Sequence, residues 1–348
     1  MKKKILLLNQ GDTQNYGDIA IHKMIDTYFR ENGFNTEFYP FWSEDKVFGK
    51  NIFLQKILTK LFWKNVIIMD LLNAIAIKKY IKKSNYDAII VGGGELLSGH
   101  RGFNSSLNIW SKFAANKKIP IFLLGVSGDI HMPKYLLKRN KKSLSRFKLI
   151  SVRDGKTKDI LNNYYHIKCD LAPDVVFAYN KICPPTEKRK KTGTLMCVPI
   201  QYNKLIQNNM NIYTTEKYYE YLLKLIKNNL DKNINKIIIT VSVLEDINFS
   251  KDLYSYLKER ITDISLIYMH YSKLDEYIEL CQKSKVVISG RMHALILALI
   301  NDNKVIPIPF KEKLECFKKE YCGIKKIELI EMNVMKEFEK VKKLINAN

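Results

Sequence analysis

The sequence predicts an α/β protein made of two doubly wound units with parallel sheets. Short continuous apolar runs alternate with longer amphipathic runs along nearly the whole 348 residues. The alternation breaks once, at Asn180–Thr194. Small or polar residues follow one strand after another. Continuous apolar strands separated by helices are buried on both faces, as in a parallel sheet covered by helices on each side. Two such blocks make two doubly wound units.

In the first block strands are expected near Lys4–Leu8, Thr36–Phe41, Ala88–Val91, Ile119–Leu124 and Leu149–Val152. Helical spacing fills Asp18–Asn32, Ser105–Asn116 and Lys156–Tyr164. The second block has strands near Thr194–Val198, Lys236–Val241, Ile264–Met269, Lys285–Ile288 and Lys304–Pro307. Its helices are Glu216–Asn229, Lys251–Arg260, Leu274–Lys283 and Arg291–Asn301. The segment between the blocks carries Pro184, Pro185, five basic residues and Gly193, which is linker chemistry. A last helical pattern, Glu328–Ala347, closes the chain. The expected organisation is a first domain over 1–180, a second over 194–325 and a closing helix over 326–348. Asn51–Lys83 is a long helical pattern rich in Leu, Ile, Phe and Trp with Lys interspersed. It reads either as inserted core-packing helices or as a basic amphipathic surface resting on anionic lipid.

Composition narrows the function classes. With 46% hydrophobic and 27% charged residues, 15 Gly and 9 Pro, the chain is globular rather than disordered or collagenous. Lys and Arg number 58 against 35 Asp and Glu, a net charge of +23. That excess favours anionic partners: phosphorylated substrates, nucleic acid or an anionic membrane surface. No helix-turn-helix, zinc-finger or aromatic RNA-binding motif accompanies it, so a nucleic-acid partner is not expected. The six Cys form no CxxC, which excludes a zinc framework and a disulfide scaffold and points to a reducing cytosol. After MKKK only a short apolar run follows, so no secretion signal is expected. The longest uninterrupted apolar stretch elsewhere is Ala294–Ile300, far short of the ~20 residues of a membrane span.

Ligands of open parallel sheets collect at the carboxyl ends of the strands. After the first strand comes Asn9-Gln-Gly11-Asp-Thr-Gln-Asn15-Tyr-Gly17-Asp18, entering a helix. Its glycines permit close backbone approach, the helix start offers free N–H groups to an anion, and Asp18 is a candidate N-cap. His22, four residues on, reads as a packing or surface residue. Gly92-Gly93-Gly94-Glu95 follows another strand, as a loop for a phosphate or sugar or as a tight turn. Glu95 and His100 are candidate acid/base groups there. Gly125-Val-Ser127-Gly128 also sits at a strand end. Arg153-Asp154 offers a guanidinium fork for a carboxylate or phosphate, or a local ion pair. The sharpest cluster is Ser289-Gly290-Arg291-Met292-His293, the turn from a strand into an apolar helix. An Arg at such a mouth needs a partner, for which an anionic ligand is one choice, and His moves protons near neutral pH. Lys311 and Lys313 add basic groups after the next strand.

With Asn15-Tyr-Gly17-Asp18, Gly92-Gly93-Gly94, Val152-Arg153-Asp154, Pro173-Asp174, Ser289-Gly290-Arg291-Met292-His293-Ala294-Leu295 and Lys313-Leu-Glu-Cys-Phe317 in this order, the chain resembles the polysaccharide pyruvyl transferase family. The resemblance runs from about residue 9 to 323. It implies two facing Rossmann-like domains, like the GT-B architecture. It also implies transfer of pyruvate from phosphoenolpyruvate to a sugar as a ketal, in cell-surface polysaccharide biosynthesis of bacterial type. By that likeness Arg153, Ser289, Gly290, Arg291, Met292, His293 and Lys313 line the donor site. Asn15, Gly17, Gly92, Gly93, Gly94 and Ser127 face the acceptor. His293 is then the general acid, with Asp18 or Glu95 as base. No cofactor beyond the donor and no metal is implied. The setting is cytoplasmic, with a sugar acceptor that is a candidate for lipid linkage and contact with the inner face of a membrane. On the acceptor side the chain departs from the family pattern at Leu96-Leu97-Ser98-Gly99 and in lacking a Pro near Gly125–Asp129. A nucleotide-sugar glycosyltransferase on the same architecture is the alternative, with Arg291 and Lys313 holding a diphosphate.

Overall fold

The computed structural model describes residues 2–62, 65–81, 85–185, 190–206, 212–323 and 326–347. The chain divides into two compact units. The first comprises Met1–Asp12, Ile21–Ala178 and Leu329–Asn348, the second Thr13–Ala20 and Tyr179–Glu328. Relative to a boundary expected at 180, residues 13–20 cluster with the second unit and the closing helix with the first. Residues 186–189 of the expected linker and 63–64 and 82–83 of the expected helical segment lie outside the described residues.

The first unit holds β1 (Lys4–Asn9), most of α1 (Tyr16–Glu31), β2 (Asn35–Pro40), α2 (Glu44–Phe48), α3 (Ile52–Phe62) and α4 (Val66–Ile81). It continues with β3 (Ala88–Leu97), α5 (Arg101–Lys117), β4 (Ile121–Gly128), α6 (Lys134–Leu144), β5 (Leu149–Val152), α7 (Gly155–Asp159) and β6 (Asp170–Leu171). Its sheet is wholly parallel, in the order β2-β1-β3-β4-β5-β6. Leu6, Leu8, Ile89, Val91, Leu123 and Ile150 are fully or nearly fully buried in it, as strands covered on both faces require.

The second unit begins with α8 (Tyr179–Ile182), β7 (Thr194–Val198), α9 (Tyr202–Ile206), α10 (Thr215–Lys227), β8 (Lys236–Ile239) and α11 (Ile247–Lys258). It continues with β9 (Ser265–Tyr268), α12 (Leu274–Lys283), β10 (Val286–Ser289), α13 (Met292–Leu299), β11 (Lys304–Pro307) and α14 (Glu312–Tyr321). Its sheet is also parallel, in the order β11-β10-β7-β8-β9. The final helix, α15 (Ile327–Asn346), packs Phe338 on Tyr28 of α1 at 4.8 Å between ring centroids. The fold class is therefore α/β, two Rossmann-like doubly wound units. Among the described residues no helix is long and apolar enough to cross a membrane.

Several local expectations change. Gly92–Glu95 is not a loop, because β3 runs on to Leu97, and β4 likewise runs through Ser127 to Gly128. The glycines make room. A Cβ on Gly92 would lie 2.2 Å from Ile25 Cδ1, and one on Gly93 2.3 Å from Ile21 Cγ2. Helix α1 thus lies directly on the β3 backbone. Gly93 and Gly94 also have φ of 70° and 85°, and the β3–β4 register shifts just after Gly94. α6 and the two-residue β6 had no expected counterpart. Asp18 is not the cap of α1. Asn15 takes that place, its Oδ1 accepting from Gly17 N–H at 2.9 Å. His22 is a packing residue, its ring tilted against Phe38 at 4.6 Å between centroids, and burial pushes its pKa down.

His100 is a cap, not an acid/base group. Its Nδ1 accepts from Phe103 N–H at 3.2 Å at the start of α5, and burial pushes it down to about 4. Protonation at Nδ1 would remove that acceptor. The folded pKa lies below the unfolded value of ~6.5, so the unfolded state takes up the proton first as pH falls. This contribution to stability is complete above pH ~6.5 and is lost between there and pH 4. His100→Asn keeps a good capping residue. Its urea midpoint should therefore fall less steeply from pH 7 to 4.5 than that of the wild type, and parallel curves would contradict this role.

Candidate functional site

In each unit the strand order reverses once. In the second it reverses between β7 and β10, in the first between β1 and β3. Such switch points open a crevice at the carboxyl ends of the two strands. The loop after β10 is Gly290-Arg291, and the loop after β7 contains Gln201.

Arg291 is the N-cap residue of α13. Its backbone N–H donates to Ser289 Oγ at 2.9 Å, and Ser289 Oγ donates to Val198 O at 3.0 Å. The guanidinium reaches across to the loop after β8. Nε and Nη2 donate to the two oxygens of Asp246 at 2.8 and 2.9 Å, and Nη2 also donates to Glu245 Oε1 at 2.6 Å. Asp246 is fully buried and accepts the Gln201 N–H at 3.0 Å. One carboxylate therefore joins the loops after β7, β8 and β10. Burial pushes Asp246 above the usual carboxylate range, although the Arg291 charge opposes it. Burial pushes Glu245 upward too, but the bond and charge of Arg291, with Lys204 nearby, carry it net below that range. Among the described residues Arg291 Nη1 makes no hydrogen bond. A ligand anion was one expected partner of Arg291; the structure supplies two carboxylates of the chain, which engage Nε and Nη2.

Residues 13–18 lie against this site. Asn15 forms an antiparallel bridge with Val243, Tyr16 N–H donates to Ser242 O at 2.9 Å, and Leu244 N–H to Gln14 O at 3.3 Å. The Tyr16 hydroxyl donates to Tyr271 O, and its ring rests on Tyr277 at 5.2 Å. Asp18 Oδ2 accepts from Asn15 Nδ2 at 2.9 Å and from Thr13 Oγ1 at 3.2 Å, which holds the loop in shape. The result is a direct contact between two motifs 276 positions apart. A Cβ on Gly17 would lie 2.1 Å from His293 Nδ1 and 2.5 Å from its Cγ, so the imidazole rests on the Gly17 backbone. His293 is the second residue of α13, and helix residues 294–299 behind it are buried. Met292 and Lys313 are half-buried near the starts of α13 and α14. A Cβ on Gly290 would press on Ile200 at 2.8 Å, so that turn also needs its glycine.

In the first unit Arg153 does not pair with Asp154, which instead caps α7 by accepting from Thr157 N–H at 2.7 Å. Arg153 Nη1 donates to the buried Asp174 at 2.7 Å, and its Nη2 to Ser127 Oγ at 2.8 Å. Pro173-Asp174, read as a turn, is therefore the counter-charge of Arg153. Glu95 stands exposed on β3. At the β1–β3 switch point Asn9 Oδ1 accepts from Gly11 N–H at 3.0 Å, and burial pushes Asp12 above the usual range. Reading the residues after each strand missed Glu245 and Asp246, although the same rule applied to the loop after β8 points to them. Among the described residues no group of three or more His, Cys, Asp and Glu is arranged to hold a metal ion.

Removing the Asp246 carboxylate leaves the Arg291 guanidinium with Glu245 alone and orphans the Gln201 N–H. Asp246→Ala should cost about 1–3 kcal/mol in urea unfolding. Glu245→Ala, at a half-exposed position, should cost under ~1 kcal/mol. Equal losses would contradict the ranking.

Comparison with known proteins agrees with this frame. No curated protein is similar in sequence. Solved structures share the fold at low identity. UDP-GlcNAc 2-epimerase from Methanocaldococcus jannaschii is 12% identical with a TM-score of 0.56, covering 97% of this chain and 92% of that one. The Neisseria meningitidis UDP-GlcNAc 2-epimerase, solved with UDP-GlcNAc, is 12% identical with a TM-score of 0.52, covering 99% and 92%. An enzyme from Listeria monocytogenes described as a UDP-N-acetylglucosamine 2-epimerase is 8% identical with a TM-score of 0.54, covering 88% and 79%. The fold is thus of the GT-B type. The profile of polysaccharide pyruvyl transferases matches residues 15–311, from the loop that seats Gly17 to the segment after β11. With most of its length so matched, the chain belongs to the polysaccharide pyruvyl transferase family.

Proposed function

We propose that the protein transfers the pyruvyl group of phosphoenolpyruvate to a sugar, as a ketal on two hydroxyls, during polysaccharide biosynthesis. The observation that carries this reading is the seat of His293 on Gly17, beside Arg291 and at the switch point of the second sheet. It puts a proton-transfer group, a cation and a helix start together where an anionic donor would bind.

In this mechanism Arg291 Nη1, Lys313 and the N–H groups at the start of α13 hold the donor carboxylate and phosphate. His293 protonates the methylene carbon, which leaves a cationic centre at the carbon bearing phosphate. A sugar hydroxyl attacks that carbon and gives its proton to a base, for which Asp18, adjoining Gly17, is the candidate. The C–O bond to phosphate breaks as the second hydroxyl attacks, and the two new C–O bonds form the ketal. Of the two hydroxyl protons, one balances that gained by the methyl group and the other leaves with phosphate. Arg291 stabilises the departing phosphate. The reaction balances with no redox partner. Arg153, held by Asp174 and Ser127, acts in this reading as framework of the first unit. Gly92 and Gly93 keep α1 close to β3, so any acceptor contact there is through backbone or neighbouring side chains. The setting is cytoplasmic, and a lipid-linked acceptor is compatible with it.

The test is phosphate release from phosphoenolpyruvate with a panel of sugar acceptors, with the ketal identified by NMR. His293→Ala should fold and lose turnover by ~10²–10⁴-fold. Gly17→Ala should also fold yet displace the imidazole, and a shift of about 1 Å costs ~10²-fold. Unchanged turnover in both would remove His293 from the mechanism. Activity with UDP-sugars and none with phosphoenolpyruvate would replace this reading by a nucleotide-sugar enzyme.

A further inference from the structure

Exposed apolar side chains concentrate on α3 and α4. Seven of the fourteen large apolar residues exposed among the described residues fall between Ile52 and Ile75. On α3 they are Ile52, Phe53, Leu54 and Ile57, with Phe53 75% exposed. On α4 they are Ile67, Leu71 and Ile75, with Ile67 80% exposed. The α4 positions are four apart and form one stripe. Met69, Asn73 and Ile77 are offset by two residues, about 200° round the helix, and are buried. Leu58 of α3 and Leu72 of α4 pack on Trp42, Phe48 and Met69, so both helices are anchored in the first unit while the stripe stays outside.

The exposed charges described on these helices are all positive. Between Ile52 and Ile81 the only acid is Asp70. Arg139 holds it at 2.7 and 2.9 Å, and Asn108 donates to it at 2.9 Å. Lys56 and Lys60 on α3 and Lys78 and Lys79 on α4 are exposed. Outside them, Asp45 on α2 accepts from Gln55 Nε2 at 2.6 Å, and Glu37 on β2 accepts from the Tyr80 hydroxyl of α4 and is paired with Lys4. An apolar stripe flanked by lysines, on a chain of net charge +23, complements an apolar surface edged by phosphates. Neither helix is long enough to span a bilayer, so the geometry is that of helices lying in an interface.

We propose that the α3–α4 surface docks on an anionic phospholipid bilayer. The apolar stripe enters the boundary between headgroups and acyl chains, and the lysines meet lipid phosphates. The inference concerns where the chain works and is independent of the group it transfers.

Vesicle co-sedimentation of the full chain tests it without any turnover assay. At about 0.15 M salt the wild type should sediment with phosphatidylglycerol-containing vesicles and not with phosphatidylcholine alone. Phe53→Ser, Ile67→Ser and Leu71→Ser combined should leave circular dichroism and melting unchanged, because the side chains are exposed. The same variant should weaken vesicle binding at least about tenfold, or ~1.4 kcal/mol. Lys56→Glu with Lys60→Glu should weaken it as well. Failure of the wild type to bind anionic vesicles would overturn the proposal. So would equal binding by the triple serine variant, which would assign the effect to overall charge. Self-association that this variant abolishes, without vesicle binding, would show that a second copy covers the surface.

Discussion

The second unit depends on the bidentate bond between Arg291 and the buried Asp246 carboxylate. A carboxylate with no exposed surface is costly unless paired and hydrogen-bonded. Here it is saturated by the Arg291 fork and the Gln201 N–H. Asp246, Arg291 and Gln201 come from the ends of three neighbouring strands, β8, β10 and β7. The pair thus sets the spacing of the loops that form the mouth of the sheet. It also fixes the direction in which α13 leaves the sheet, and with it the place of His293. The rigid fork of an arginine suits this geometry in a way that a lysine would not.

Glycine serves this protein as space more than as freedom. Gly17 lets an imidazole rest on its backbone, and Gly92 and Gly93 let α1 lie on β3. In each case a single methyl group would collide with a named side chain at 2.1–2.3 Å. The same helix takes part in both contacts. Its first residues sit on the second unit's loops, and its later residues sit on the first unit's sheet. The conformational demand on these glycines is secondary, since among the three only Gly93 has a positive φ.

Most of the fold was legible because continuous apolar strands announce a parallel sheet. Ten of the eleven strands among the described residues lie where that pattern puts them. The short β6 was invisible because two residues have no periodicity. The ends of β3 and β4 were misjudged because glycine reads as a break, whereas here the strands continue through it. Motif order pointed to Arg291, His293 and Gly17, but not to what they touch. Asp246 is 45 positions from Arg291, and Asp174 is 21 from Arg153. No local pattern specifies such pairs, and each arginine was instead given a ligand or its neighbour as partner. His100 looked chemical because it follows a glycine run. Its burial and its bond to Phe103 N–H make it structural.

The central claim is that the site built by Arg291, His293 and Gly17 receives phosphoenolpyruvate. Thermal melting of the purified chain against ligand concentration addresses it directly, because a ligand that binds only the folded state stabilises it by ~2.7 kcal/mol at a hundred times its dissociation constant. The account predicts a melting temperature that rises with phosphoenolpyruvate, does not rise with nucleotide sugars, and no longer responds in Arg291→Ala. A rise with a nucleotide sugar and none with phosphoenolpyruvate would contradict it.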